Sequence, residues 1–207
     1  RPEQPAYVPP ELSPAHAHAP ALTLELEERK VTGASVSRQL KTITRTAERV
    51  HVSESDSGTE WLFVRNAVDA RRASASLIDG RTRTIIEFDE SELRNSGVAR
   101  GWADIVTLGV WGDVLQSVEA TGREQTLGGY RFAELRPKQG KGGPFRELWW
   151  SADAVVPSRL SSSDQTLEMV VKSITTRVDA ALLLDPRQRF PGCEVQDVAD
   201  YREKHHE

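Results

Sequence analysis

The sequence predicts a mainly β chain of the α+β class, an antiparallel meander with a break in its middle. Three observations carry this. Apolar and polar residues alternate at a period of two over roughly Val36–Phe88, and again over Arg123–Ile174, and such a segment puts even positions on one face and odd positions on the other. Leu77–Ile78 is followed by Asp79–Gly80 and then Thr82–Phe88, the pattern of two strands joined by a tight hairpin, because Asp and Gly both tolerate positive φ. Between the two alternating stretches, from Asp89 to Val118, the spacing turns helical.

The elements follow in order. Arg1–Pro20 holds Pro2, Pro5, Pro9, Pro10, Pro14 and Pro20, which remove backbone donors and favour extended chain, so residues 1–20 read as an arm. Leu22, Leu24 and Leu26 alternate with Thr23, Glu25 and Glu27, which fits an edge strand or, nearly as well, a charged helix end. Ser35–Val52 is rich in Thr, Val and Ile, and Asp56, Ser57 and Gly58 supply a turn. Thr59–Arg65 has Trp61 and Phe63 on one face and Leu62 and Val64 on the other, so it is expected in the middle of a sheet covered on both sides. Asn66–Ala70 is a turn, and Arg72–Ile78 and Thr82–Phe88 form the hairpin.

Asp89 then caps a short helix at Glu90–Arg94, with Glu92 placed for a capping box. Trp102, Ile105 and Val106 fall at helical spacing, and Trp111–Val118 adds a further turn or two. The middle of the chain therefore reads as a helical insertion between two sheets of strands. Gly128–Gly129 punctuates a second hairpin, followed by Tyr130–Leu135. Phe145–Ser151 carries Leu148, Trp149 and Trp150; Val155–Leu160 has Pro157, which suggests an edge or bend; Thr166–Val178 is the last long strand. Residues 179–207 read as a tail with a short helix near Val195–Lys204. The domain expectation is thus an arm at 1–20, one β domain at 21–178 with its insertion near 89–118, and the tail.

Composition narrows the function. The chain has 207 residues, 38% apolar and 28% charged, a globular balance with formal net charge −4. Basic residues are spread thinly, so no nucleic-acid partner is expected. Apolar runs reach about five residues, as in Ala180–Leu184, far below the roughly 20 that span a membrane. The chain starts at Arg1 and not Met, from which a removed signal segment is expected. Cys193 is the single cysteine, so there is no internal disulfide.

Catalytic and cofactor chemistry find little support. His16 and His18 lie in the arm and His205 and His206 close the chain, without neighbouring ligands that would complete a metal site; His51 is expected on a surface or sheet edge. No Gly-x-Ser-x-Gly occurs, since Gly33-Ala34-Ser35-Val36-Ser37 ends in Ser. Gln139-Gly140-Lys141-Gly142-Gly143 opens a strand, whereas a phosphate loop must open a helix. Neither an enzyme nor a cofactor is expected. The aromatics remain: Trp61, Phe63, Phe88, Trp102, Trp111, Tyr130, Phe132, Phe145, Trp149 and Trp150 could line an apolar pocket or simply form the core.

Three fragments carry a family resemblance. They are Glu60-Trp61-Leu62-Phe63 with its turn and the Arg72–Ile78 strand; Thr121-Gly122-Arg123-Glu124-Gln125-Thr126-Leu127-Gly128-Gly129-Tyr130-Arg131-Phe132; and Glu147-Leu148-Trp149-Trp150-Ser151 with Pro157 beyond. In that order they resemble bacterial envelope proteins of the outer-membrane lipoprotein-carrier (LolA-like) fold family, over Leu22–Val178. The resemblance implies an incomplete antiparallel β-barrel, a half-barrel whose concave face is capped by short helices. It implies an exported protein, periplasmic or secreted, that is not an enzyme and binds a lipid or other hydrophobic ligand. The residues expected around the ligand are Trp61, Phe63, Ile86, Phe88, Trp102, Trp111, Tyr130, Phe132, Leu148 and Trp150. The alternative expectation is an envelope protein-interaction or scaffold module without a small ligand, its arm and strand edges serving a protein partner.

Overall fold

In the computed structural model the described residues are 18–110, 112–140 and 142–205. Most of the proline arm, with His16, and Trp111, Lys141 and His206 lie outside them. The strands are β1 (Leu22–Thr32), β2 (Ser35–Arg45), β3 (Arg49–Glu54), β4 (Thr59–Arg65), β5 (Ala73–Asp79) and β6 (Thr84–Phe88). Three short helices follow, α1 (Glu90–Asn95), α2 (Trp102–Val106) and α3 (Gly112–Gln116). Then come β7 (Val118–Leu127), β8 (Tyr130–Pro137), β9 (Phe145–Ser151), β10 (Val156–Ser162) and β11 (Leu167–Thr175). A 3-10 turn (Ala180–Leu183), α4 (Pro186–Arg189), β12 (Glu194–Asp197) and α5 (Val198–His205) complete the described chain.

The two alternating stretches do not make two sheets. They join in one twelve-stranded sheet of order β12-β6-β5-β4-β3-β2-β1-β11-β10-β9-β8-β7. The splice is β1, which pairs antiparallel with β2 on one side and β11 on the other. Leu22–Leu26 is therefore the centre of the sheet and not an edge. The pairing of β1 with β11 rests on contacts far apart in sequence, which a local pattern does not reveal. All neighbouring strands are antiparallel except β12, which runs parallel to β6. With β12 and β7 as its two ends the sheet is not closed, so the fold is mainly β and an incomplete barrel.

Its curl is visible in contacts that skip strands. Gln125 of β7 donates to the Ser158 hydroxyl of β10 at 2.9 Å. The β7–β8 turn reaches β11, where a Cβ at Gly128 would lie 2.5 Å from the Ile174 carbonyl oxygen. Gly128 and Gly129 both have positive φ, as a two-residue hairpin between Leu127 and Tyr130 demands. Gly128 is thus required twice, by its backbone and by the approach of Ile174.

The first hairpin is built differently from the expected Asp-Gly link. β5 and β6 are joined by residues 80–83, and the positive φ falls on Arg83. The Asp79 carboxylate accepts from the backbone of Arg81 and Thr82 and so holds the turn open by two residues. The helical insertion stands as expected: Asp89 accepts from Glu92 N–H, and the Glu92 carboxylate accepts from Asp89 N–H, a complete capping box. β10, with Pro157, lies between β9 and β11, and the bend shows as a register shift between Pro157 and Arg159.

The inner face of the sheet and the insertion together form the core, with Leu22, Leu24, Val106, Val110 and Leu148 almost wholly buried. The outer face of β3–β6 is covered by the C-terminal segment. Arg49 donates to the Leu183 carbonyl at 2.5 Å, Arg189 pairs with Glu60 of β4 at 2.9 Å, and Arg187 pairs with Glu87 of β6 at 2.7 Å. That covering explains His51, expected on a surface but buried at 1% exposure, with its ring Nε2 donating to Glu60 at 2.8 Å. The Glu60 carboxyl is held below its ordinary range chiefly by this His51 bond, against burial, with Arg189 assisting.

Candidate functional site

The inner face of β1 reads Leu22, Leu24, Leu26, Glu28, Lys30: apolar at one end, charged at the other. β2 runs antiparallel and contributes Lys41, Ile43 and Arg45; β3 contributes Val50, Val52 and Glu54; β4 contributes Trp61 and Phe63. Opposite this floor lies the insertion, with Gly97–Arg100 and then Asp104, Ile105, Leu108 and Gly109. Floor and insertion do not meet everywhere. They leave a hollow of about 630 Å³, to which Leu160, Leu167 and Met169 of β10 and β11 add a wall. This volume lies within the roughly 300–1,000 Å³ of small-molecule sites.

Aromatic rings make one side of the floor. Trp61 and Phe63 are two apart on one strand and therefore on one face, with ring centroids 5.5 Å apart and nearly parallel. Phe88 of β6 meets Trp61 at 5.2 Å, tilted by 49°. Of the ten residues expected around a ligand, Trp61 and Phe63 lie on the hollow's wall and Phe88 backs them. Ile86, Trp102, Phe132 and Leu148 are buried at 0–1% exposure and belong to the core, off that wall. Tyr130 and Trp150 are half-buried and pack against the core, and Trp111 lies outside the described residues. The wall is instead completed by residues that the sequence pattern did not single out, above all Leu26, Ile43, Val50, Val52 and Met169.

Further along β2 than Ile43, and off the hollow's wall, lies a buried arginine. Arg45 is 1% exposed, and no carboxylate among the described residues pairs with it. Its guanidinium donates only to backbone carbonyls: Pro20 before β1, Val106 at the end of α2, and Ala154 and Val155 in the β9–β10 turn. Five planar donors suit such a ring of acceptors, which a lysine could not serve. Burial pushes the Arg45 guanidinium down to about 10, opposed by Tyr130 nearby, so it stays charged at neutral pH. Val155, one of the acceptors, has φ of 56°, a strained position for a β-branched residue. Arg45 thus ties together the arm's end, the insertion and a turn from the opposite half of the sheet.

The outer end of the hollow is polar. Lys41 lies 3.2 Å from Glu28 and 3.5 Å from Glu54, and Lys30 lies 3.1 Å from Glu28. Glu54 also accepts from Gln39 at 2.6 Å and Ser57 at 3.0 Å. Burial alone would raise the Glu54 carboxyl, but Lys41 and the hydrogen bonds from Ser57 and Gln39 outweigh it and hold the group below its ordinary range. On the insertion side, Arg100 pairs with Asp104 at 3.2 Å.

Among the described residues there is no group of three or more His, Cys, Asp or Glu that could hold a metal, and no helix long and apolar enough to cross a membrane. The arrangement offers apolar area and a polar mouth, with no nucleophile–base pair on the wall.

Fold and hollow together describe an incomplete antiparallel barrel with short helices over a hollow of mixed apolar and charged lining. No family model matches the chain, and no curated protein matches it by sequence. Solved structures resemble it in chain path. One is a DUF1329 family protein from Desulfovibrio piger, 10% identical, covering 83% of this chain and 92% of its own, with a TM-score of 0.44. Another is PNGF-II, 10% identical, covering 88% of this chain but 32% of its own, at 0.44. A third is a LolA superfamily protein from Nitrosomonas europaea, 9% identical, covering 83% and 94%, at 0.36. Likenesses at this level describe chain path and say nothing of ligand.

Proposed function

We propose that this chain is a non-enzymatic binding protein of the cell envelope, exported to the periplasm or beyond, that carries a lipid or acylated ligand in the hollow. The observation that supports this is the hollow itself, about 630 Å³ with an aromatic and aliphatic floor beneath a helical cap. Each methylene transferred from water to such a wall contributes about 0.8 kcal/mol, so an acyl chain binds without polar chemistry. Trp61, Phe63, Leu26, Ile43 and Met169 form the contact surface, and Phe88 holds the Trp61 ring in place. The exported location is part of the reading and is supported by the sequence resemblance.

Mass spectrometry of gently extracted protein tests the proposal, with lipid expected at near one per chain. A titration with brominated fatty acyl probes adds position: bromine in the hollow quenches Trp61 emission, and Trp61→Phe removes most of the response. Protein that never carries lipid and shows no quenching would sink the reading.

A further inference from the structure

We propose that the hollow selects amphiphiles whose head group bears no net charge; this rests on the lipid-binding reading above. On the strand floor, charge is confined to one end of the hollow. On β1 the inward residues change from Leu26 to Glu28 and Lys30, on β2 from Ile43 to Lys41, and on β3 from Val52 to Glu54. Lys30, more than half exposed, marks this end as the mouth. A ligand with its chain on the aromatic floor places its head here.

The charges at the mouth cancel. The cations there are Lys30 and Lys41 and the anions Glu28 and Glu54, while Arg100 and Asp104 of the insertion pair with each other. Each is already within 3.5 Å of an opposite partner. The inner members are withdrawn from water, with side chains of Glu28, Lys41 and Glu54 only 14%, 16% and 19% exposed. An anionic head would come against Glu28 and Glu54, and a cationic head against Lys41. Either leaves a poorly hydrated charge uncompensated, a penalty that discriminates by repulsion. A neutral head meets no such penalty.

The test is a set of probes with one acyl or alkyl chain length and different heads: a monoacylglycerol, a lysophosphatidylcholine, a fatty acid and an alkyltrimethylammonium. Dissociation constants are measured at pH 7.5 by displacement of a fluorescent apolar dye. Expected is at least tenfold tighter binding of the two net-neutral probes. Glu28→Gln gives the mouth a positive charge and is expected to improve the fatty acid at least fivefold relative to the monoacylglycerol. Lys41→Met makes the mouth negative and should favour the alkyltrimethylammonium likewise. Equal affinities, a charged probe binding tightest to the native protein, or variants with unchanged ranking would overturn the inference while leaving lipid binding intact. If no probe binds, the lipid-binding reading falls first. The native ranking needs no variant, and Glu28→Gln keeps the side-chain shape, so folding does not limit the test.

Discussion

Arg45 and Lys41 sit on the same face of the same strand, four residues apart, and are compensated in opposite ways. Arg45, off the hollow's wall, is wholly buried and meets only carbonyl oxygens from three separate parts of the chain. Lys41, at the mouth, meets two carboxylates and keeps some exposure. Carbonyl dipoles are fixed by the backbone, so the Arg45 end is a joint: moving one acceptor means moving a structural element. Carboxylates on flexible stems can be exchanged or titrated, so the Lys41 end is adjustable without altering the fold. One strand thus has a rigid end and a tunable end.

The largest effect is expected at the joint. Arg45→Met leaves four carbonyl groups without their donor in a buried site and should cost about 3–5 kcal/mol, read as a shift of the urea unfolding midpoint. Arg45→Lys should recover less than half, since an ammonium serves at most three acceptors from one point. A loss below about 1 kcal/mol would erase the contrast between the two ends.

A smaller effect, about 1–2 kcal/mol, is expected for Lys41→Met at pH 7, because Glu28 keeps Lys30 and Glu54 keeps its hydrogen bonds from Gln39 and Ser57. The contrast sharpens with pH. The Glu54 carboxyl lies below its ordinary value of 4.5 in the folded protein, so it binds protons less readily than in the unfolded chain. Its contribution is fully present above that ordinary value and is lost as pH falls through the folded value. Unfolding midpoints of native protein and Glu54→Gln should therefore converge on acidification below about pH 4.5. The Arg45→Met difference should persist in the same range, since Arg45 and its carbonyl partners do not titrate there. Convergence of both pairs would show that the joint also depends on carboxylates.

The smallest effect is expected on the outer face. Arg187 and Glu87 pair at 2.7 Å but are about half exposed, and Arg187→Ala should change stability by less than about 0.5 kcal/mol. A loss above 1 kcal/mol would make the C-terminal segment an anchoring point beside Arg45.

The strands were legible because alternation reports which residues share a face. The capping box of Asp89 and Glu92 and the Gly128–Gly129 hairpin were legible because each is completed within a few residues. The partners of β1 were not, since β11 arrives from the far end of the domain. Nor was β12, four residues with one large apolar side chain. For the site, parity correctly placed Trp61, Phe63 and Phe88 on one face. It could not separate hollow from core on that face, which is why Phe132 and Leu148 were grouped with them. Arg45 looked like any charged residue at a strand end, because nothing local signals four carbonyls converging on it. The change from Leu26 to Glu28 and Lys30 on one parity of β1 was the available sign of a mouth.

The β1–β11 splice also sets when the molecule can form. Thr23 donates its hydroxyl to the Arg177 carbonyl across 154 residues, and the ladder beside it joins the first strand to the eleventh. Contacts of such separation are reached late, after long loops have closed, and topologies built on them fold slowly. Until β11 arrives, β1 is an open edge carrying Leu22, Leu24 and Leu26, a surface prone to mispairing with other chains. Refolding should accordingly be slow and concentration-sensitive, and a chain shortened to end before Leu167 should aggregate instead of yielding a smaller barrel.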